Sequence, residues 1–140
     1  MNAYLEKIAG LLAVARIPAE LINEIHQPTV DYTLLTFRAD SLLLRFSHHD
    51  GQDFLEVACA LAPGQFYWSG DIEVAMGWSS LERMALRSCT PPIEEVVARL
   101  GQHFNDLKKL FFKNTESFTQ AAVQRTMRPG SLKAQPVEQP

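Results

Sequence analysis

Residues 30–61, VDYTLLTFRADSLLLRFSHHDGQDFLEVACAL, decide the fold. Val30 to Phe37 is rich in β-branched and aromatic residues, which suit a pleated, half-buried surface. Ala39-Asp40 offers a tight turn. Ser41 to Ser47 then sets Leu42, Leu44 and Phe46 against Leu43, Arg45 and Ser47, the period-2 alternation of a strand. Asp50-Gly51 is a hairpin signal, because a type I′ turn needs positive φ at both central residues. Phe54 to Leu61 forms the third strand and Pro63-Gly64 closes it. Three strands with short turns make an antiparallel meander. Burying Leu42, Leu44, Phe46, Leu55, Val57 and Leu61 requires a cover, and the flanking segments supply helices for it.

On the N-terminal side, Tyr4, Leu5, Ile8, Leu11, Leu12 and Ala15 recur at helical spacing, so residues 2–15 read as an amphipathic helix with Asn2 as its cap. Pro18 suits the first position of a second, shorter helix carrying Leu21, Ile22 and Ile25, ended by His26-Gln27-Pro28. Beyond the meander, two readings of residues 66–76 stand. Phe66 to Ser69 forms a short strand; after it, either Asp71 caps a helical turn through Ile72, Ala75 and Met76 to Gly77, or Gly70-Asp71 turns into a fifth strand. The helical turn fits better. Ser79 or Ser80 opens another short helix through Leu81, Met84 and Ala85. Thr90-Pro91-Pro92 then starts a long helix over 91–113, with Ile93, Val97, Leu100, Phe104, Leu107 and Phe111 on one stripe. Gly101 inside it costs about 1 kcal/mol against alanine, which a close approach of another element would explain. A last helix covers about 115–127, and residues 128–140 read as a disordered tail.

Composition narrows the class. With 46% apolar and 21% charged residues in 140, the chain has the make-up of one globular domain. A net charge of −3 argues against a nucleic-acid binder. No apolar run approaches the roughly 20 residues of a membrane span. The N-terminus lacks the basic, continuously apolar pattern of a secretory signal, so a cytoplasmic location is expected. Cys59 and Cys89 have no metal-ligand spacing and read as free thiols, Cys59 on the parity of the core residues.

Chemistry-bearing clusters are sparse. His48-His49-Asp50 with Asp53 is the densest, yet adjacent histidines on a strand point to opposite faces and cannot easily share a metal. His103 reads as a partly exposed helix residue. No Gly-x-Ser-x-Gly and no glycine-rich phosphate loop is present. We therefore expect no catalytic residue, metal or cofactor. The charge layout says more. Residues 40–75 hold six acids against one base, a net of −5, and residues 76–140 hold nine bases against six acids, a net of +3. An acidic patch can steer a cationic partner. Beside the acids stand Phe66, Tyr67, Trp68 and Trp78, of the kinds favoured at interface hot spots. The expected partner-binding residues are Asp50, Asp53, Glu56, Tyr67, Trp68, Asp71 and Glu73.

The segment Gly51-Gln52-Asp53-Phe54-Leu55-Glu56-Val57 through Pro63, the Phe66-Tyr67-Trp68 and Met76-Gly77-Trp78 patches and the terminal helix resemble the small α+β immunity proteins encoded beside bacterial toxins. The likeness is one of size, acidity and helix–meander–helix order. It implies a non-catalytic protein that binds one cognate toxin and blocks it. The chain is also similar to class I type III secretion chaperones, short acidic homodimers that wrap an effector segment and end in a helix like Ile93 to Phe111. It departs from them after Pro63, where no second strand pair and dimer helix can be found. The expectation is thus one α+β domain over 1–127: N-terminal helices, an antiparallel meander of three to five strands, and a long C-terminal amphipathic helix packed on one sheet face. Its partner is another protein, toxin or effector, with neither nucleic acid nor membrane involved; a homodimer stays open. An alternative is a small-ligand or enzymatic domain with a pocket near Cys59 or the His48-His49 turn.

Overall fold

The computed structural model describes residues 3–78, 92–113 and 116–127. Helix α1 (Ala3–Val14) leads into a five-stranded antiparallel sheet of strands β1 (Glu20–Gln27), β2 (Tyr32–Ala39), β3 (Leu42–His49), β4 (Gln52–Cys59) and β5 (Tyr67–Trp68), each beside the next. Helices α2 (Ser69–Ala75), α3 (Ile93–Gln102), α4 (Phe104–Lys113) and α5 (Glu116–Met127) follow. The architecture is α+β, as expected. The expected helix from Ser79 or Ser80, the Thr90-Pro91 cap, Cys89 and the 128–140 tail lie outside the described residues.

Turn chemistry sets the meander. Asp50 and Gly51 both take positive φ, 52° and 77°, as a type I′ turn demands. Asp40, at φ 57°, opens the two-residue turn between β2 and β3, so that turn falls one residue later than expected. The registers place Leu35, Phe46 and Leu55 in one cross-strand row and Phe37, Leu44, Val57 and Tyr67 in the next. These side chains share one core with Ile8 and Leu12 of α1, Ile72 of α2, Val97 and Leu100 of α3, Leu107 and Phe111 of α4 and Phe118 of α5. Phe37 and Phe46 meet edge to face at 5.8 Å. Cys59 closes β4 on this side and packs against the core as a free thiol. Leu61, expected inside, lies past the strand end and is exposed.

Two expected helices are corrected. Residues 20–27 form strand β1, not a short helix. The register against β2 slips between Leu21 and Asn23, so Ile22 is an extra residue in a β-bulge. The bulge breaks the alternation and leaves Leu21, Ile22 and Ile25 at a spacing that imitates a helix stripe. The long helix over 91–113 is two helices, interrupted at His103 with φ −117° and ψ 20°. Just before the break, Gly101 lies against the end of α1. A Cβ there would sit 2.6 Å from the Ala15 carbonyl oxygen and 2.8 Å from the Ala15 Cβ. The close approach that would explain a helical glycine is present. Residues 66–76 resolve into a two-residue strand and a helix: β5 pairs with β4, and α2 ends at Met76 before Gly77 at φ 80°.

Candidate functional site

The described helices pack on one side of the sheet, and the other side carries its own pattern. Alternation places Ile25, Leu34, Ser47 and Phe54 in one row across β1 to β4. Gln27, Tyr32, His49 and Gln52 form the row above, and Asn23, Thr36, Arg45, Glu56 and Trp68 the row below. Ile25, on the edge strand β1, is 38% exposed and Phe54 39%. Leu34 and Tyr32 are half-buried beside them, and His49 meets the Tyr32 ring edge-on at 6.0 Å. Towards the other end the face closes, with Leu43 and Ala58 buried.

Charge on this face is balanced within it. Arg45 reaches Glu56 from Nη2 at 2.8 Å and from Nε at 2.9 Å, and its guanidinium lies 3.8 Å from the centre of the Phe66 ring. The paired, stacked guanidinium is fixed in place, since a planar fork loses less freedom per bond than a flexible ammonium. Trp68 stands beside Glu56 in the adjoining pair, and Asp50 occupies the turn at the upper rim.

The seven expected partner-binding residues therefore separate. Glu56 and Trp68 stand on the open face and Asp50 at its edge. Asp53 points to the helix side, where His48 Nδ1 contacts it at 2.8 Å and Lys7 of α1 at 3.5 Å. Tyr67 is also on the helix side, against Phe111 and Phe118 at 5.9 and 5.6 Å between ring centres. Asp71 and Glu73 belong to α2 and are buried, at 4% and 2% exposure. Glu73 meets Arg99 of α3 at 3.4 Å, and Arg99 reaches Glu95 at 2.9 Å. Desolvation works against the Arg99 cation, but the hydrogen bonds to Glu95 and the charge of Glu73 outweigh it and raise its proton affinity. The acidic stretch thus does not assemble one acidic patch. Asp40 pairs with Lys108 at 2.6 Å, and Asp53, Glu56 and Glu73 each have a basic partner of their own.

His48 and His49 point to opposite sides, as strand geometry requires. On the helix side, His48 also meets the Tyr4 ring at 5.1 Å, and its Nε2 lies 4.0 Å from Asp31. The Tyr4 phenol is driven above its ordinary range, first by burial and then by the neighbouring Asp53 charge. A phenol held neutral and a histidine anchored by one carboxylate fit a structural network joining α1 to the sheet. Among the described residues no three histidine, cysteine or carboxylate side chains converge to hold a metal. A polar groove of about 430 Å³ opens at the α3–α4 break, lined by residues that include Arg16, Asp40, His103, Asp106 and Lys108. Its histidine is stacked on Trp78 at 4.6 Å.

Of the apolar residues on the open face, sequence reasoning singled out none of Tyr32, Leu34, Phe54 and Ile25. Tyr32 and Leu34 alternate with Thr33, Leu35 and Phe37, and that parity was the available signal; the β1 bulge hid Ile25. In comparisons with protein-family models, curated proteins and solved structures, the chain matches none.

Proposed function

We propose that this is a non-catalytic binding protein whose open sheet face docks on another protein and occludes it. The observation that carries the reading is the apolar row Ile25, Leu34 and Phe54, which the described helices leave outside the core they share with the other face. Exposed apolar side chains grouped on one surface, ringed by polar groups, mark protein interaction sites. Here the ring is Gln27, His49 and Gln52 on one side and the Arg45–Glu56 pair on the other, with Trp68 as an aromatic anchor. The finer reading is an immunity role, in which the occluded partner is a toxin encoded beside this protein. Because Glu56 is paired with Arg45 within this face, we place the affinity in Phe54, Leu34 and Trp68 and assign Glu56 to orienting Arg45.

The test is co-expression with the product of the neighbouring reading frame. Capture of that product by the wild type, and its loss in Phe54→Arg and Leu34→Arg with unchanged thermal melting, supports the proposal. Capture that survives both substitutions overturns the face. A neighbouring product that is harmful alone and harmless when co-expressed supports the immunity role; one that is harmless alone overturns it.

A further inference from the structure

The arginines of the sheet face opposite the helices differ in what they leave free. Arg45 meets Glu56 through Nε and Nη2, both on the same oxygen, Oε1, at 2.9 and 2.8 Å. These two nitrogens make one edge of the planar guanidinium. The group has five N–H donors, so its end edge, one N–H of Nη1 and the second of Nη2, keeps two parallel donors. Among the described residues nothing takes them. Phe66 covers one plane of the cation at 3.8 Å, and the side chain is still 32% exposed. The fork is thus both fixed and reachable. Arg38 lies on the same face, in register with Leu43 and one row beyond Thr36 and Arg45. Its side chain is exposed and makes no hydrogen bond or ion pair among the described residues. Glu20 stands opposite it on β1 without pairing with it. Both sets of free donors therefore lie at the same end of the face, next to the apolar row.

We propose that the partner surface is acidic at this point: a carboxylate docks on the Arg45 fork while an apolar side chain beside it packs over Ser47, between Leu34 and Phe54. This inference rests on the docking face argued above and names the chemistry that the face selects. The spacing follows from the sheet. Leu34 and Phe54 are diagonal to Arg45, two residues along β2 and β4 from its neighbours Thr36 and Glu56. Two residues of a strand span ~7 Å, which sets the separation of acid and apolar group on the partner. A carboxylate fits the fork because its two oxygens accept two parallel N–H bonds in one plane, which a single carbonyl oxygen does not. Glu56 does not block it, since Glu56 holds another edge and the cation lies between the two acids. Arg38, one row farther on, serves a second acid at the rim. Recognition thus runs opposite to the acidic segment in the sequence: the acids belong to the partner and the cations to this face.

The probe is the product of the neighbouring reading frame, titrated calorimetrically into the full chain and its variants. Arg45→Lys keeps the charge and loses the fork, and should weaken binding about tenfold or more with unchanged circular dichroism. Arg38→Gln, at an exposed and unpaired side chain, leaves the fold intact and should weaken binding about threefold. Arg16→Gln removes the same charge from the end of α1 and should leave the affinity unchanged. On the partner, replacing each aspartate by asparagine and each glutamate by glutamine should find one position that is costly against the wild type and nearly silent against Arg45→Lys. Such a coupled position supports the proposal. Partner carboxylates that are all additive with Arg45→Lys overturn it, as does equal weakening by Arg16→Gln and Arg38→Gln, which would reduce the effect to net charge. The two levels separate through Phe54→Arg. If that variant abolishes binding while Arg45→Lys and Arg38→Gln bind like the wild type, the docking face stands and the acidic partner is wrong. Binding that survives Phe54→Arg, or a product that the wild type does not bind, overturns the docking face and this proposal with it.

Discussion

On β3, Leu42, Leu44 and Phe46 are fully buried under helices, while Arg45, Ser47 and His49 of the same strand stand on the open side. The contrast repeats on β4, where Leu55 and Val57 are inside and Phe54 and Glu56 are not. One side is a core assembled from every described helix. The other is an apolar row between polar rows, with Arg45 both paired to Glu56 and stacked on Phe66. The covered side has to carry the stability, because its apolar area is removed from water within the monomer, at about 25 cal/mol per Å². The open side leaves Ile25 and Phe54 in contact with water.

Exchanging one phenylalanine for alanine on each side gives the largest expected difference. Phe46→Ala leaves a cavity under fully buried surroundings and should cost about 3–5 kcal/mol. Phe54→Ala removes a ring already 39% exposed and should cost less than about 1 kcal/mol. Urea denaturation of both variants decides the matter. Similar losses would mean that the open side is part of the folding core and that the contrast between the faces is false.

Gly101 tests how the cover is fixed. A Cβ there would collide with backbone, the Ala15 carbonyl, which a side-chain rotation cannot relieve. Gly101→Ala should therefore destabilise by about 1–3 kcal/mol despite the better helix propensity of alanine. Thermal melting at or above the wild-type value would show that the end of α1 is free to move away from α3.

What could be read from the chain, and what could not, follows the same division. The β2–β4 meander was readable because its turns are chemically explicit: Asp50-Gly51 must adopt positive φ, and apolar residues alternate on either side of it. The odd position of Gly101 also pointed to a close contact. β1 was hidden by a bulge, which no period detects. The split at His103 was hidden because the 4-3-4-3 stripe from Ile93 to Phe111 runs on through the break. The candidate site was the least readable part. Linear charge suggested an acidic region, but Lys7, Arg99 and Lys108 reach it from remote segments and pair with Asp53, Glu73 and Asp40. A segment's net charge becomes a surface property only after such long-range pairs have formed, and sequence order does not reveal them.

The ion pairs give a smaller comparison of the same kind. Glu73 is 2% exposed and Glu56 has about a third of its side chain in water, and each faces an arginine. Removing one partner of a buried pair strands the other charge, whereas an exposed pair contributes little. Arg99 keeps Glu95 and some contact with water, so Glu73→Gln should cost about 1–2 kcal/mol, below the fully buried limit. Glu56→Gln should cost less than about 0.5 kcal/mol. Chemical denaturation at low and high salt checks both. The Glu56 effect should fade with salt and the Glu73 effect should not.

Tyr4 yields the smallest effect, confined to alkaline solution. Its phenol sits between α1 and the polar end of the covered face, and burial together with Asp53 holds it neutral past the ordinary value of 10.0. The unfolded chain ionises at that value while the folded chain does not. The stabilisation from a raised phenol is thus fully present below pH 10.0 and is lost as pH rises towards the folded value. A complete proton difference would give a slope of about 1.4 kcal/mol per pH unit. Tyr4 is only partly buried, and screening should leave roughly half of that or less. Tyr4→Phe cannot ionise, so its stability should fall less steeply than the wild type above about pH 10 and run parallel to it below. Parallel curves throughout would mean that the phenol is free to ionise in the folded protein and that α1 opens at this end of the core.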